Sequence, residues 1–338
     1  MSTGRTSAAI GFAALALCAL VILAFAVGRF PVAPSEFGAV VWAWVSGGSS
    51  DVPATVQTVV LNVRGPRILA AIVVGAALSA AGAAYQSLFR NPLVSPDILG
   101  VSSGAALGAV LGIFFSLDVL FIQALAFGCG LAAVATAYFI ASRMRGHDPI
   151  LVLVLAGVVI GALLGAGVAL LKYLADPYNQ LPAITYWLLG SLSAATRADF
   201  LAVLPAAAGG ILVLWLLRWR ISVLALGDDE AASVGVETGR VRALVITAAT
   251  LMTAAAVSIS GVIGWVGLLI PHFARLLVGP DFTRLLPVAT LLGAAFVLGV
   301  DTVARTAGRI EIPLGVLTAV IGTPLFLWLL ATARRSWQ

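Results

Sequence analysis

The sequence predicts an all-α fold, a polytopic integral membrane protein of about ten transmembrane helices with both termini in the cytoplasm. Three observations carry this expectation. The 338 residues are 61% hydrophobic and only 10% charged, with a mean hydropathy of +1.10, whereas soluble domains carry roughly 25% charged residues. From Arg64 the chain reads RGPRILAAIVVGAALSAAGAAYQSLFRNPLVSPDILG. Its uncharged stretch of about twenty residues, bounded by arginines, has the length that a bilayer-spanning helix needs. Apolar runs then recur to the end of the chain, divided by charges, prolines or polar clusters.

In order, the runs fall at residues 8–27, 67–88, 99–115, 119–141, 149–171, 198–217, 240–260, 264–278, 285–304 and 313–332. The third and eighth are short, which suits tilted or broken helices. Arg5 precedes the first run and Ala24-Phe25-Ala26 imitates a cleavage site. A signal-peptide core is shorter, about 7–15 residues, so a retained first span is expected. Between the first two spans, PSEFGAVVWAWVSGG predicts a short interfacial helix. Ser35 is the candidate N-cap, Glu36 lies in the first turn, and Trp42 and Trp44 suit the membrane surface. The segment 181–192, LPAITYWLLGSL, is too short to span, so it lies at the outer surface or re-enters part-way.

Orientation follows from the basic residues. With the N-terminus inside, twelve fall on the cytoplasmic side: Arg5, Arg90, Arg143, Arg145, Arg218, Arg220, Arg240, Arg242, Arg275, Arg284, Arg334 and Arg335. Seven fall outside: Arg29, Arg64, Arg67, Lys172, Arg197, Arg305 and Arg309. The richer side is cytoplasmic. The outer arginines are numerous enough to require a reason of their own.

Several function classes are excluded. The pI is near 9.8, but no basic patch forms, so a nucleic-acid partner is not expected and membrane lipid is. Cys18 and Cys129 lie in apolar spans, and neither a disulfide nor a metal site is implied. His272 has no Cys, Asp or Glu at ligand spacing; with Pro271 and Gly279 it marks a broken helix end. No nucleophile–base set, P-loop or deep carboxylate pair is present, so no catalytic residue, bound cofactor or metal is expected. Asp301 and Arg305, four apart, read as an intrahelical ion pair. An ion-coupled carrier needs an ionisable group in mid-membrane, and its lack favours transport powered by another protein. A stand-alone secondary transporter or channel is the alternative.

Two further patterns bear on function. Glycine recurs at every fourth position at Gly100, Gly104, Gly108 and Gly112, and again at Gly157, Gly161 and Gly165. Each set forms one helix face, open to two readings: tight helix packing or a side-chain-poor wall of a solute path. Between the sixth and seventh spans, Leu226 and Gly227 precede Asp228, Asp229 and Glu230, which favour a helix start. Ala231, Ala232 and Val234 continue it and Gly235 ends it. This cytoplasmic segment, about 226–237, is either a connector or a capped helix suited to a groove on another protein.

These residues resemble the FecCD-type permeases of bacterial ABC importers (type II) for iron-siderophore, haem or cobalamin. The matching pieces are RGPRILA (64–70), GAALSAAGAAYQSLFRNPLVSPDILGVSSGAALGA (75–109), YWLLGSL (186–192), LGDDEAASVGV (226–236), GWVGLLIPHFARLLVGPDFTRLLP (264–287), DTVAR (301–305) and EIPLGVLTAVIGTPLFLWLL (311–330). They run in order across nearly the whole chain. The resemblance implies one permease domain over 1–338 and ten helices in the inner membrane. It also implies a second permease subunit, with a homodimer expected, two cytoplasmic ABC ATPase subunits that use ATP and Mg, and a periplasmic or lipid-anchored substrate-binding protein. It makes Leu226, Gly227, Asp228, Asp229, Glu230, Ala231, Ala232, Val234 and Gly235 the ATPase-coupling segment. Arg64, Arg67 and Arg305 become the docking point for acidic residues of the binding protein, and 181–192 an outer gate helix. The family path runs along the fifth and tenth helices with the third and eighth nearby, which gives the glycine faces weight as path or packing surfaces.

Overall fold

The computed structural model describes residues 3–28, 30–49, 51–144 and 149–333. Arg29, Arg145, Arg334 and Arg335, which enter the reading of topology, lie outside the described residues. The chain runs as α1 (Thr3–Ala26), α2 (Pro34–Ser46), α3 (Ala54–Thr58), a π-helical turn (Val59–Arg64), α4 (Gly65–Leu88), a 3-10 turn (Pro96–Leu99) and α5 (Val101–Phe114). It continues as α6 (Val119–Arg143), α7 (Pro149–Leu174), α8 (Gln180–Leu189), α9 (Arg197–Leu216), α10 (Arg218–Leu224) and α11 (Asp228–Ser233). The last elements are α12 (Thr238–Ser260), α13 (Val266–Val278), α14 (Phe282–Thr306) and α15 (Leu314–Ala333), and no strand occurs among the described residues. Seven helical stretches are long and apolar enough to cross a membrane; α5, α13 and the 314–329 part of α15 are shorter apolar helices.

The second span differs from expectation. It runs without a break from Ala54 to Leu88, 35 residues, through the RGPR sequence that suggested a boundary. Pro66 has no N–H, and its ring crowds the carbonyl four residues back, at Asn62. The backbone absorbs this by widening into the π-helical turn Val59–Arg64. The interfacial helix α2 forms, but its N-cap is Ala33 and not Ser35. Pro34 at the first helical position loses nothing by lacking an N–H, and the Glu36 carboxylate accepts the Ala33 N–H at 2.8 Å. Trp42 and Trp44 project from it mostly in the open.

Helix α4 is the central post. Lipid tails are as apolar as leucine, so helices in a bilayer associate by close packing and hydrogen bonds, with small residues at the contact. α4 is built largely of Ala, Gly and Ser and is buried on nearly every side. A Cβ on Gly75 would land on the Gly293 carbonyl of α14, and one on Gly82 on the Gly267 carbonyl of α13. Backbone therefore touches backbone at two levels, and α9 and α12 close the remaining sides. Several buried polar groups on α4 find partners across these contacts, which offsets the cost of burying them, while Ser87 Oγ and Gln86 Oε1 are buried without one. Ser79 donates to the Ala289 carbonyl at 2.8 Å and Gln86 to the Leu268 carbonyl at 2.9 Å. The Tyr85 hydroxyl meets Thr250 Oγ1 at 2.9 Å. By contrast α1, α6, α7 and α9 leave most of their apolar surface uncovered.

Candidate functional site

Two sites stand at opposite ends of the bundle. At one end, α9 gives way to α10 and then to the 226–237 segment. Gly227 takes φ +153, and a Cβ there would meet the Glu230 carboxylate folded back over it. Asp228 accepts from Arg242 Nη2 at 2.8 and 2.9 Å, which ties the start of α11 to the start of α12. At the far end the Gly235 and Val236 N–H groups bond the Ala232 and Ala231 carbonyls at 3.0 Å each, with Gly235 at φ +80. This is a glycine-terminated cap. Ala231 and Val236 are buried anchors, while Leu226 (72% exposed) and Val234 (55%) stand free beside exposed Asp229 and Glu230. The segment is thus a short, pinned helix that shows apolar and acidic side chains to solvent. Asp281 braces the same end: its carboxylate accepts from Ser222 Oγ at 2.8 Å and caps α14 at the Thr283 N–H, 3.0 Å. Burial pushes this carboxyl up, but the bonds from Ser222 and Thr283 and the Arg284 charge outweigh it and hold it below the usual carboxylate range.

At the other end, Arg64, Arg67 and Arg305 converge on one cavity of about 190 Å³, whose wall also includes Gly28, Phe30 and Glu311. None of the three arginines is freely presented. Arg64 and Arg305 are only 5% and 8% exposed. Arg64 donates to the Phe25 and Phe30 carbonyls, and Arg305 to the Ala24 carbonyl. Arg67 forms a two-sided ion pair, with Asp301 at 2.8 Å and Glu311 at 3.0 Å. The expected Asp301–Arg305 pair is therefore corrected. Asp301 sits on α14 facing α4, where Arg67 reaches it with Nε and Nη2 together, a fork geometry that outcompetes a single contact along one helix. Arg305 Nε is buried and makes no hydrogen bond.

The glycine faces divide. On α5, a Cβ at Gly104 or Gly108 would strike the Cys129 or Leu125 carbonyl of α6, and one at Gly112 would strike Ile122. That face is a packing seam. Gly157 and Gly161 of α7 lie against the 3-10 turn and Gly100, which itself takes φ +84. Only Gly165 of the named set has open space around it.

Helix α8 takes in 181–189 of the 181–192 segment and is capped at Gly190, φ +75. There Leu314 N–H bonds the Gly190 carbonyl at 2.9 Å, and Ser191 N–H bonds the Ser260 carbonyl at 2.8 Å. Gly315 closes the junction, 2.7 Å from the Leu189 oxygen at its would-be Cβ. This segment is thus stitched to the end of α12 and the start of α15.

A profile of the FecCD transport family matches residues 15–332. The chain belongs to the FecCD transport family. It is 40% identical over 314 residues to the molybdate import system permease protein MolB of Haemophilus influenzae, covering 92% of each chain. It is 44% identical over 280 residues to the cobalamin import system permease protein BtuC of Halobacterium salinarum, covering 82% of this chain and 75% of that one. Among solved structures, one described as an inward-facing metal-chelate type ABC transporter superposes with TM-score 0.86 at 35% identity, over 96% of this chain and 98% of the other. The FecCD chain is a permease subunit, not an enzyme, and a multi-pass protein of the inner membrane.

In this permease some partners escaped sequence reasoning. Glu311 joins Arg67 from across 244 residues, and Arg242 holds Asp228. Asp97 lies in the 3-10 turn and accepts from Ser102. Only the PD pair before a glycine hinted at this last contact.

Proposed function

We propose that the permease imports a metal chelate, an iron-siderophore complex first among the candidates, by alternating access driven by two separate ATP- and Mg-using ATPase subunits. The α11 segment is the coupling helix, and a binding protein delivers cargo at the Arg64–Arg67–Arg305 cavity. A homodimer provides the path. The observation that carries this reading is the pinned α11 with Leu226 and Val234 exposed beside acidic side chains. The relatives named for molybdate and cobalamin import, and those named for hemin and iron chelatin transport, support a chelate or oxyanion cargo. The docking role is altered by the geometry: an acidic side chain entering the cavity competes with internal carbonyls for Arg64 and takes the spare Arg305 Nε.

The test is reconstitution with an ATPase and a binding protein encoded beside the gene. Labelled ferric siderophores, hemin, cobalamin and molybdate are offered in turn, with and without ATP. ATP-dependent uptake of one cargo is expected. Uptake driven by a proton gradient without ATP would overturn the reading.

A further inference from the structure

A long apolar groove lies on the bundle's flank between α6 and α12, with a volume of about 560 Å³. Leu131, Ala135, Tyr138 and Phe139 form one wall; Ala243, Thr247 and Leu251 form the other. From Leu131 to Ser142 it extends about 16 Å along α6 at 1.5 Å per residue. The Thr250 hydroxyl in its floor is already engaged by Tyr85, so the floor offers little to a polar guest.

The rim has the opposite character. Phe139 carries Arg143 over its ring at 4.7 Å, at the end of α6. On α12, Arg240 precedes Ala243, Thr247 and Leu251 by three, seven and eleven residues, which places it on the same stripe. Glu237 approaches Arg240 only at 3.8 Å, with both side chains more than 70% exposed, a contact that screens weakly. Arg220 stands across the adjoining cleft from Arg240. One end of the groove is therefore ringed by arginines, and this is the end that carries α11.

We propose that this groove is a binding site for an anionic phospholipid. One acyl chain lies between α6 and α12, and the phosphate headgroup is held by Arg143 and Arg240. A narrow trough suits a single chain better than a partner's helix, and the paired cations at its mouth select the headgroup charge.

The test uses the full-length permease in detergent, with native mass spectrometry as readout. Phosphatidylglycerol and phosphatidylcholine of matched chains are the probes, with glycerophosphoglycerol as the chainless control. Two arginines predict a preference for phosphatidylglycerol of roughly tenfold to thirtyfold, and no retention of the chainless control. Arg143→Gln with Arg240→Gln should remove the preference but keep chain binding. Ala135→Trp or Thr247→Trp, both at exposed positions, should displace either lipid. Equal retention of the two lipids by the native chain overturns the proposal. So does unchanged phosphatidylglycerol binding in both tryptophan variants, or a groove covered by a second permease copy in the dimer.

Discussion

Arg67 of α4 and Asp301 of α14, 234 residues apart, form a forked ion pair with N–O distances of 2.8 to 3.1 Å, and the Asp301 side chain is 1% exposed. The pair clamps the two helices whose backbones already touch at Gly75 and Gly293. Removing Arg67 leaves the buried Asp301 charge unmatched, which costs roughly 3–5 kcal/mol, whereas removing Asp301 leaves Arg67 still paired with Glu311. Arg67→Met should therefore lower the thermal unfolding midpoint sharply in detergent, and Asp301→Leu should lower it less. Adding Asp301→Leu to Arg67→Met should recover much of the loss, because the buried carboxylate is gone and the partly exposed Glu311 can turn to water.

The same pair separates structure from docking among the outer arginines. Arg64→Gln and Arg305→Gln should leave the permease folded. Each should weaken binding-protein association by roughly tenfold, the scale of one hydrogen bond to a charged group at about 1.5 kcal/mol. Surface plasmon resonance with the immobilised transporter reads this directly. Unchanged affinity in both variants would remove the docking role.

At the other end, Leu226→Asp and Val234→Asp should abolish co-purification of the ATPase subunits, since each puts a charge where an apolar contact is proposed. Arg242→Gln should loosen α11 from α12 with the exposed face intact. It should lower ATP-driven uptake more than it lowers complex assembly.

Glycine positions predict two opposite outcomes. Gly82→Ala sets a methyl group against the Gly267 carbonyl, and overpacking costs about 1–3 kcal/mol or more where backbone cannot yield. Loss of monodisperse protein in size-exclusion chromatography is expected. Gly165→Ala, with open space around it, should leave chromatography and thermal stability unchanged.

Asp281 makes one end of the molecule acid-sensitive. Its carboxyl titrates lower in the folded chain than in the unfolded one, so its contribution is complete above the ordinary carboxylate value and disappears as pH falls through the folded value. Thermal unfolding of the native chain should weaken with acid more steeply than that of Asp281→Asn.

Much was legible before any coordinates. Apolar length located most of the long helices, and the DDE run and Gly235 marked a short capped helix. The π-helical turn was not legible: Pro66 signals a disturbance, but whether a helix stops or widens depends on what packs around it. The same holds for the glycine faces. A spacing of four states that one side is bare, not whether α6 or open space lies against it.

The sequence by itself determined the class of molecule, because transfer into a bilayer depends on composition and run length and needs no knowledge of neighbours. It also determined the family, through motifs that stay in order along the chain. Only the tertiary structure decided which charges meet. Asp301 has Arg305 one turn away on its own helix, yet Arg67 and Glu311 complete the cluster. In a dry interior a charge goes to the partner offering the most complete set of hydrogen bonds, and helix packing, not sequence separation, brings that partner within reach.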